Sequence, residues 1–232
     1  MASHTLVIVT ARNEGKRIGA TLAALESALP DAPLLVADDG STDATAAVAR
    51  HAGARLVRSA RAIGKGGAAT LAAREALRAA CACGGDRRAD SIVLLCDGDL
   101  GESAARLVPL VDAVRSGEAD LAVAAFKRRP GGGLGLAVAF ARWAIRRRCG
   151  LRLKAPISGQ RALRARVLSD VLPFAAGFGM ELGMTIDAVR VGHRVVEVEL
   201  DLSHRATGRT PAGFAHRGRQ LHDFVRAYRS RA

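Results

Sequence analysis

The chain has 232 residues, of which 49% are hydrophobic, and its 35 Lys and Arg against 22 Asp and Glu give a net charge of +13. This composition excludes a largely disordered chain and is typical of one globular domain, or of one domain with a subdomain. The basic surplus indicates a polyanionic partner, which could be nucleic acid, an anionic membrane surface or a phosphorylated small molecule. An aromatic content of 3% leaves few stacking platforms for bases and argues against single-stranded nucleic-acid binding.

The cysteines and the N-terminal residues bear on the cellular compartment. The four cysteines form no C-x-x-C pair and have no histidine at zinc-finger spacing. The first residues lack the charged-then-apolar layout of a signal peptide, and no apolar run is long enough to span a bilayer. We therefore expect a cytoplasmic protein, with peripheral contact at the inner face of the membrane as an alternative.

The first 126 residues alternate short apolar runs with amphipathic segments. The predicted strands are Leu6–Thr10, Leu34–Ala37, Arg55–Arg58, Ile92–Cys96 and Leu121–Ala125. The predicted helices lie between them, at about Arg17–Leu29, from a Ser41-Thr42 cap to near Gly53, at Ala68–Ala80 and at Ser103–Val114. This alternation predicts an α/β fold, with a mostly parallel central sheet flanked by helices.

The character of the chain changes after Phe126. Lys127–Arg129 leads into Pro130–Gly133, which is predicted to form a flexible loop. An amphipathic helix is predicted over Leu134–Cys149, with an arginine cluster at its end. These arginines suit either the helix dipole or an anionic membrane surface. The further predicted elements are a strand at Ile157–Leu163, a helix at Val167–Leu172, a helix from Gly177 to about Arg190, a strand at Arg194–Leu200 and a basic tail that is either a lid or a solvated helix.

Polar residues follow three of the predicted strands. They are Arg12, Asn13 and Glu14 after the first strand, Asp38 and Asp39 after the second, and Asp97, Gly98 and Asp99 after the central one. Because the carboxyl ends of parallel strands meet at one edge, these residues should line a common crevice. Paired carboxylates suit Mg²⁺ or Mn²⁺, which would bridge them to substrate phosphates, whereas the simpler interpretation is an Asp-Gly turn.

A glycine-rich turn, Gly64–Gly67, precedes another predicted helix. Lys65 within it would add a positive charge, and the turn would add backbone donors, for an anion. The turn does not match the G-x-x-x-x-G-K-[ST] pattern, and no G-x-G-x-x-G follows the first strand. Neither a P-loop nor a dinucleotide site is therefore predicted.

Six short motifs occur together in one order along the chain. They are Thr10–Glu14, Asp38–Asp43, Gly64–Gly66, Asp97–Asp99, Ser158–Ala162 and Gly177–Glu181. With them the chain resembles family-2-type glycosyltransferases of the GT-A fold, a Rossmann-like fold, over nearly its whole length. The resemblance implies a single GT-A domain at 1–232, with a nucleotide-sugar half at 1–126, an acceptor half at 127–202 and a basic tail or lid at 203–232.

The same resemblance implies a metal-dependent transfer of a sugar from a UDP- or GDP-sugar to an acceptor. The donor nucleotide would be held by Thr10, Ala11, Arg12, Glu14, Asp38, Asp39, Lys65, Asp97 and Gly98. Asp97 and Asp99, as a DXD motif, would hold Mg²⁺ or Mn²⁺ on the diphosphate.

Two branches of the family differ in their acceptor. The acceptor side of polyprenyl-phosphate sugar synthases resembles Arg128, Ser158, Gly159 and Arg161. Those enzymes commonly carry an acidic-acidic-Gln pattern, whereas Leu100-Gly101 follows Asp99 here. Glu181 and His204 resemble glucosyl-3-phosphoglycerate synthases, in which a late histidine completes the metal shell. Those enzymes usually have a longer N-terminus than this chain.

A phosphorylated acceptor suits both branches and the basic composition. Its phosphate is largely ionised near neutral pH, since the second pKa is about 6, so it needs positioning by Arg and Lys more than deprotonation. For a hydroxyl acceptor, Glu181 is the candidate catalytic base and Asp99 acts through the metal. Glu181 could instead be a charge at a helix N-terminus, and His204 could be a surface residue.

Two other functions compete with this interpretation. A nucleotidyltransferase would need a basic, glycine-rich loop directly after the first strand, where Ala11–Glu14 is acidic and poor in glycine. A nucleic-acid-binding protein without enzymatic activity would bind in a salt-sensitive but metal-independent way. A homodimer is a further expectation that the residues alone do not test.

Overall fold

The computed structural model describes residues 4–82, 91–126, 135–202 and 211–231. Their central feature is a seven-stranded sheet with the order β3-β2-β1-β4-β6-β5-β7. The strands are β1 Thr5–Ala11, β2 Leu34–Asp38, β3 Arg55–Arg58, β4 Ile92–Asp97, β5 Leu121–Phe126, β6 Arg161–Arg164 and β7 Val195–Leu200. Strand β6 is antiparallel to both neighbours, and the other paired strands are parallel. The predicted mostly parallel sheet is therefore confirmed.

Helices cover both faces of this sheet. They are α1 Ile18–Ala28, α2 Thr45–His51, α3 Lys65–Ala82, α4 Val108–Arg115, α5 Leu136–Cys149, α6 Ala165–Val171, α7 Met180–Arg190 and α8 Pro211–Arg229. Two 3₁₀ segments, Gly101–Leu107 and Gly177–Gly179, lead directly into α4 and α7. No helix within the described ranges is long and apolar enough to cross a membrane.

The central strand β4 is buried on both of its faces. Ile92, Leu94 and Cys96 belong to the core layer that includes α1 and α4. Val93 and Leu95 belong to the opposite layer, which includes α3 and α6. A strand covered on both faces has no polar side to alternate with, which explains its continuous apolar sequence.

A third core cluster joins α5, α7 and the C-terminal helix α8. It contains Ile145 of α5, Leu182 and Ile186 of α7, and Phe224 and Ala227 of α8. Phe224 is 1% exposed and Ala227 is 3% exposed. The end of the predicted basic tail is therefore a helix that packs into the core, while the earlier residues 203–210 lie outside the described ranges.

Helix α3 begins three residues earlier than predicted. Gly64 adopts a left-handed conformation, with φ of +86°, directly before the helix. The Asp39 carboxylate accepts hydrogen bonds from the backbone N–H groups of Ile63, at 2.6 Å, and Gly64, at 3.1 Å. These tertiary contacts let Gly66 and Gly67 start a helix despite the low helix propensity of glycine.

The strand predicted at Ile157–Leu163 is also displaced, because β6 begins only at Arg161. The Arg161 side chain donates hydrogen bonds to the backbone carbonyl groups of Pro156 and Ser158. These bonds fold residues 156–160 into a turn instead of extending the strand.

The start of α3 packs directly against the chain that precedes α7. A Cβ atom on Gly66 would overlap the carbonyl oxygen of Ala175. We expect Gly66→Ala to lower the free energy of unfolding by about 1–3 kcal/mol through overpacking, as measured by urea denaturation. The control is Gly218→Ala in α8, where an added Cβ atom would have no neighbouring atom within 4 Å apart from those of its own helix. This substitution should raise the free energy of unfolding by about 0.5–1 kcal/mol. Equal effects of the two substitutions would contradict the contact.

Candidate active site

The carboxyl ends of β1 and β4 lie side by side and form the floor of the site. Thr10 pairs with Asp97 in the parallel register, and its hydroxyl group donates a 3.0 Å hydrogen bond to Asp97 Oδ1. The buried Thr21 of α1 fixes the turn after β4, because it donates to the Gly98 carbonyl and accepts from the Gly101 N–H, both at 2.9 Å. Two elements distant in sequence therefore hold the Asp97–Asp99 turn in place.

The Lys65 ammonium group lies between two carboxylates. Its Nζ is 2.6 Å from Asp97 Oδ1 and 2.8 Å from Glu181 Oε1. The exposed fractions of the side chains are 21% for Lys65, 25% for Asp97 and 5% for Glu181. The structure thus brings together three predicted site residues from the start of α3, the end of β4 and the first turn of α7.

The loop before β6 closes the site from the other side. Gln160 Nε2 donates a 2.9 Å hydrogen bond to Asp97 Oδ2, and Ser158 Oγ donates to Gln160 Oε1 at 3.1 Å. A Cβ atom on Gly159 would come within 2.5 Å of Lys65 Nζ and 2.6 Å of Asp97 Oδ2. The glycine therefore lets the backbone approach the ion pair more closely than any side chain would allow.

This environment keeps both members of the ion pair charged. Burial alone would raise the pKa of Asp97, but the Lys65 charge and the hydrogen bonds from Lys65, Thr10 and Gln160 lower it below its ordinary value. Burial would likewise lower the pKa of Lys65, but the charges of Asp97 and Glu181 raise it.

Arg161, a predicted acceptor contact, is enclosed by the protein. Its side chain is 0% exposed and donates to Ser158 O at 2.8 Å, Pro156 O at 3.0 Å and Thr185 Oγ1 at 2.9 Å. Burial lowers the pKa of Arg161 to about 10, against the opposing charges of Glu181 and Glu197. In this position the guanidinium group holds the 156–160 turn, and the predicted acceptor contact of Arg161 stays a prediction.

The residues after β1 and β2 form two interlocked loops. Asn13, at φ of +56°, donates from its backbone to Ser41 Oγ and accepts from the Thr42 N–H. Glu14 N donates to Thr45 Oγ1 at 2.8 Å. Arg12 is exposed at the rim of these loops.

Asp38, the last residue of β2, and Asp39 after it hold these loops through hydrogen bonds. The side chain of Asp38 is 0% exposed, accepts from the Ser41 N–H at 2.9 Å and pairs with Arg58 at 3.2 Å. Asp38 is thus enclosed by its own loop, and its contact with the donor nucleotide stays a prediction. Asp39 holds the turn before Lys65, and the Ala11 carbonyl accepts from the Asp39 N–H at 3.0 Å.

Asp97, the last residue of β4, and Asp99, two residues further on, differ in how well they fit a divalent metal ion. Both oxygens of Asp97 already accept hydrogen bonds, and one is paired with Lys65. Across the described parts of the chain, no hydrogen bond reaches the Asp99 carboxylate, and no three His, Cys, Asp or Glu side chains are grouped to hold a metal. Asp99 therefore fits a cation whose other ligands come largely from substrate oxygens. His204 and Arg128 lie outside the described residues.

The comparison with known proteins now decides the family. The sequence profile of glycosyl transferase family 2 matches residues 6–172, which is more than half of the chain. The protein belongs to glycosyl transferase family 2.

Two relatives of this family 2 protein carry different names. It is 29% identical over 226 residues to an undecaprenyl-phosphate mannosyltransferase from Micrococcus luteus, with 88% of this chain and 86% of the relative covered. It is 34% identical over 208 residues to a glucosyl-3-phosphoglycerate synthase from Mycolicibacterium paratuberculosis, with 78% of this chain and 58% of the relative covered.

Solved structures extend the similarity to the fold. Glucosyl-3-phosphoglycerate synthase from Mycobacterium tuberculosis, in complex with Mn²⁺, UDP-glucose and phosphoglyceric acid, matches with a TM-score of 0.76 and 28% identity, over 99% of this chain and 80% of that chain. Its complex with Mn²⁺, UDP-glucose and glycerol 3-phosphate matches with a TM-score of 0.74, 28% identity and the same coverage. The predictions of a GT-A fold and of a glycosyltransferase are confirmed.

Two residues that hold the Asp97–Asp99 turn, Thr21 and Gln160, were not among the predicted site residues. Thr21 sits in the middle of an amphipathic helix, where nothing in the local pattern separates it from a surface threonine. Gln160 lies inside the Ser158–Ala162 motif, so the motif itself was the signal that could have assigned it.

Removing the Lys65 charge should destabilise the folded state, because it leaves two carboxylates without their counter-charge. In Lys65→Met, Asp97 and Glu181 lose their shared counter-charge, and we expect the free energy of unfolding at pH 7 to fall by about 2–3 kcal/mol, less than for a fully enclosed pair. Without the ammonium group, burial should raise the pKa of Asp97 in the folded state above its unfolded-state value. The penalty should therefore shrink as the pH is lowered to about 5.

Denaturant titrations at several pH values measure this effect. In the wild-type protein the pKa of Asp97 is lowered instead, so its contribution to stability is present above the unfolded-state value and is lost as the pH falls through the folded-state value. Lys154→Met serves as the control, because Lys154 pairs with Glu199 on the surface with 75% and 53% of the side chains exposed. A penalty for Lys65→Met that did not change with pH would contradict the charge balance.

Proposed function

We propose that this protein transfers a sugar from a UDP-sugar to a phosphorylated acceptor with the help of a divalent metal ion, a GDP-sugar being the second donor to test. The observation that carries the proposal is the Asp97–Lys65–Glu181 cluster at the carboxyl ends of β1 and β4, within a family 2 domain. The Mycobacterium tuberculosis synthase supports it, since its structures contain Mn²⁺, UDP-glucose and phosphorylated acceptors.

The chain's own residues would share the work as follows. Thr10, Lys65 and Gln160 hold Asp97 ionised and immobile, so that its position is set before the donor arrives. Asp99 would hold Mg²⁺ or Mn²⁺, with His204 as a further predicted ligand. When bound, the metal would supply charge neutralisation for the departing nucleoside diphosphate.

The acceptor side follows from the same electrostatics. Glu181 is 5% exposed and paired with Lys65. This arrangement favours a role as a counter-charge to Lys65 over a role as a general base. A phosphate oxygen that itself attacks the sugar needs no such base, because it already carries negative charge near neutral pH, whereas a hydroxyl group of a phosphorylated acceptor would still have to lose its proton. We propose that Ser158 and Gly159 line the acceptor half at 127–202, with Arg128 as a predicted phosphate contact.

An exposed aromatic surface on α5 favours a lipid as the source of the phosphate. Leu136 is 63% exposed and Trp143 is 51% exposed. The Trp143 ring lies 5.6 Å from Phe140 and 5.1 Å from Tyr228 of α8, between ring centroids. Tryptophan and tyrosine in such a cluster suit the boundary between water and lipid headgroups.

The arginines beside this aromatic surface divide into two roles. Arg148 lies over the Tyr228 ring at 4.1 Å and donates to the Tyr228 carbonyl group, so it joins α5 to α8. Arg146 and Arg147 are exposed and add positive charge next to Trp143. We propose that this face makes a peripheral contact with anionic lipid.

The transfer reaction tests the function and the acceptor together. Purified protein with Mn²⁺ or Mg²⁺ and labelled UDP- or GDP-sugars would be offered polyprenyl phosphate and 3-phosphoglycerate in separate reactions. We expect label transfer that EDTA abolishes and that added metal restores. Label in the organic phase identifies a lipid acceptor, and label in a new aqueous product identifies a small one. Absence of transfer with every donor and acceptor would overturn the proposed function.

Asp99→Asn should lower kcat by about 100-fold or more. The amide would weaken the binding of a metal ion that stabilises the leaving diphosphate by several kcal/mol. Asp31→Asn, an exposed and remote carboxylate, is the matched control and should leave kcat unchanged. Thermal unfolding should be the same for both variants. An Asp99→Asn enzyme with wild-type kcat would remove Asp99 from the metal site.

The lipid contact is tested separately by co-sedimentation with phosphatidylglycerol vesicles. Each arginine near an anionic surface contributes about 1 kcal/mol, so Arg146→Gln/Arg147→Gln should reduce binding about 10- to 30-fold. The control Arg50→Gln/Arg74→Gln removes the same charge from exposed positions on α2 and α3. No sedimentation of the wild-type protein, or equal losses in both double variants, would exclude this surface.

A further inference from the structure

The C-terminal helix α8 contacts the chain that carries Glu181. Asp223 of α8 accepts a 3.0 Å hydrogen bond through Oδ2 from the backbone N–H of Phe178, which lies in the Gly177–Gly179 segment before α7. A Cβ atom on Gly177 would overlap the Asp223 carboxylate. The two groups are therefore in direct contact, and glycine at position 177 makes the contact possible.

The same segment lies against the start of α3. A Cβ atom on Gly64 would be 3.3 Å from the Cα atom of Gly177. A few residues earlier, the Phe174 N–H donates to Thr70 Oγ1 of α3 at 3.1 Å. Lys65 directly follows Gly64, and Glu181 follows the Gly177–Gly179 segment by two residues, so both members of the ion pair emerge from this junction.

Helix α8 is well anchored at the junction. A Cβ atom on Gly179 would be 2.9 Å from Ala227 Cβ and 3.0 Å from the Asp223 carbonyl oxygen. Phe224, next to Asp223, is 1% exposed in the core shared with α5 and α7. The backbone of α8 at Asp223 is therefore held in place by packing.

We propose that Asp223 is a positioning residue for the transfer reaction. By holding the Gly177–Gly179 segment against Gly64, it sets the distance between Lys65 and Glu181, although it touches neither. Its effect on catalysis rests on the proposed function, whereas its effect on the junction does not. A residue beyond the 6–172 match to the family profile thereby becomes part of the catalytic unit.

The alternative is that Asp223 only stabilises the helix start electrostatically, since a carboxylate near a helix N-terminus is favourable by itself. In that case its removal would loosen α7 locally and leave Lys65 in place. Motion at the start of α3, on the far side of the junction, distinguishes the two roles.

The experiment compares Asp223→Ala with Asp223→Asn in the full chain. Asparagine keeps a carbonyl oxygen that can accept from the Phe178 N–H, whereas alanine does not. Arg231→Met is the matched control, because Arg231 joins α8 to α7 through Asp187 at 2.7–2.8 Å without touching the Gly177–Gly179 segment.

Hydrogen–deuterium exchange, read by mass spectrometry, is the first measurement. We expect Asp223→Ala to accelerate exchange in peptides covering both 174–182 and 62–70, with Asp223→Asn and Arg231→Met close to wild type. Acceleration confined to 174–182 would reduce Asp223 to a local capping role and overturn the proposal. Unchanged exchange, or equal acceleration in Arg231→Met, would overturn it as well.

Steady-state kinetics is the second measurement. Asp223→Ala should lower kcat by about 10- to 100-fold, the range expected for a small misplacement of reacting groups, with the KM for the donor within about threefold of wild type. Asp223→Asn should restore most of the turnover. A wild-type protein inactive with every donor would refute the proposed function, while the exchange data would still decide whether Asp223 controls the junction.

Discussion

The architecture of the site depends on the balance of charge around the Lys65 ammonium group, which lies within 2.8 Å of both Asp97 and Glu181. Two carboxylates that share one ammonium group, one of them 5% and the other 25% exposed, would repel each other without a cation between them. Because the cation belongs to the protein, the charges are arranged before any substrate binds. Such preorganisation allows fixed charges to stabilise a transition state without reorganisation during the reaction.

This balance requires three backbone segments to approach each other more closely than side chains would permit. Gly159 faces the ion pair, and Gly64 and Gly66 face the chain around Ala175 and Gly177. The buried Arg161 then shapes the turn that presents Gln160 to Asp97. Enclosed polar groups such as Arg161 position the backbone and side chains around them. Fewer of the motif residues are therefore exposed in the site than the motifs contain.

The two named relatives differ in whether the phosphate acceptor is a lipid or a small molecule, and the features of this chain bear on both. The proposed role of the Lys65–Asp97–Glu181 cluster in a nucleotide-sugar reaction is compatible with either acceptor. The exposed Trp143 beside Arg146 and Arg147 adds a surface suited to lipid headgroups, because it combines an amphipathic ring with positive charge. We therefore propose that the difference between a lipid and a small acceptor lies in surfaces at the periphery of the site, away from the Lys65 cluster at its centre.

The amino-acid sequence by itself determined the α/β class, the order of the strands and helices and the motif residues Lys65, Asp97 and Asp99, because buried strands and turn glycines leave a local signature. It also determined the family, through six motifs in one order. Only the tertiary structure decided the length of β6, the start of α3 and the enclosed roles of Arg161 and Asp38. Those features depend on hydrogen bonds and close backbone contacts between segments far apart in the chain, which no local pattern of side chains encodes.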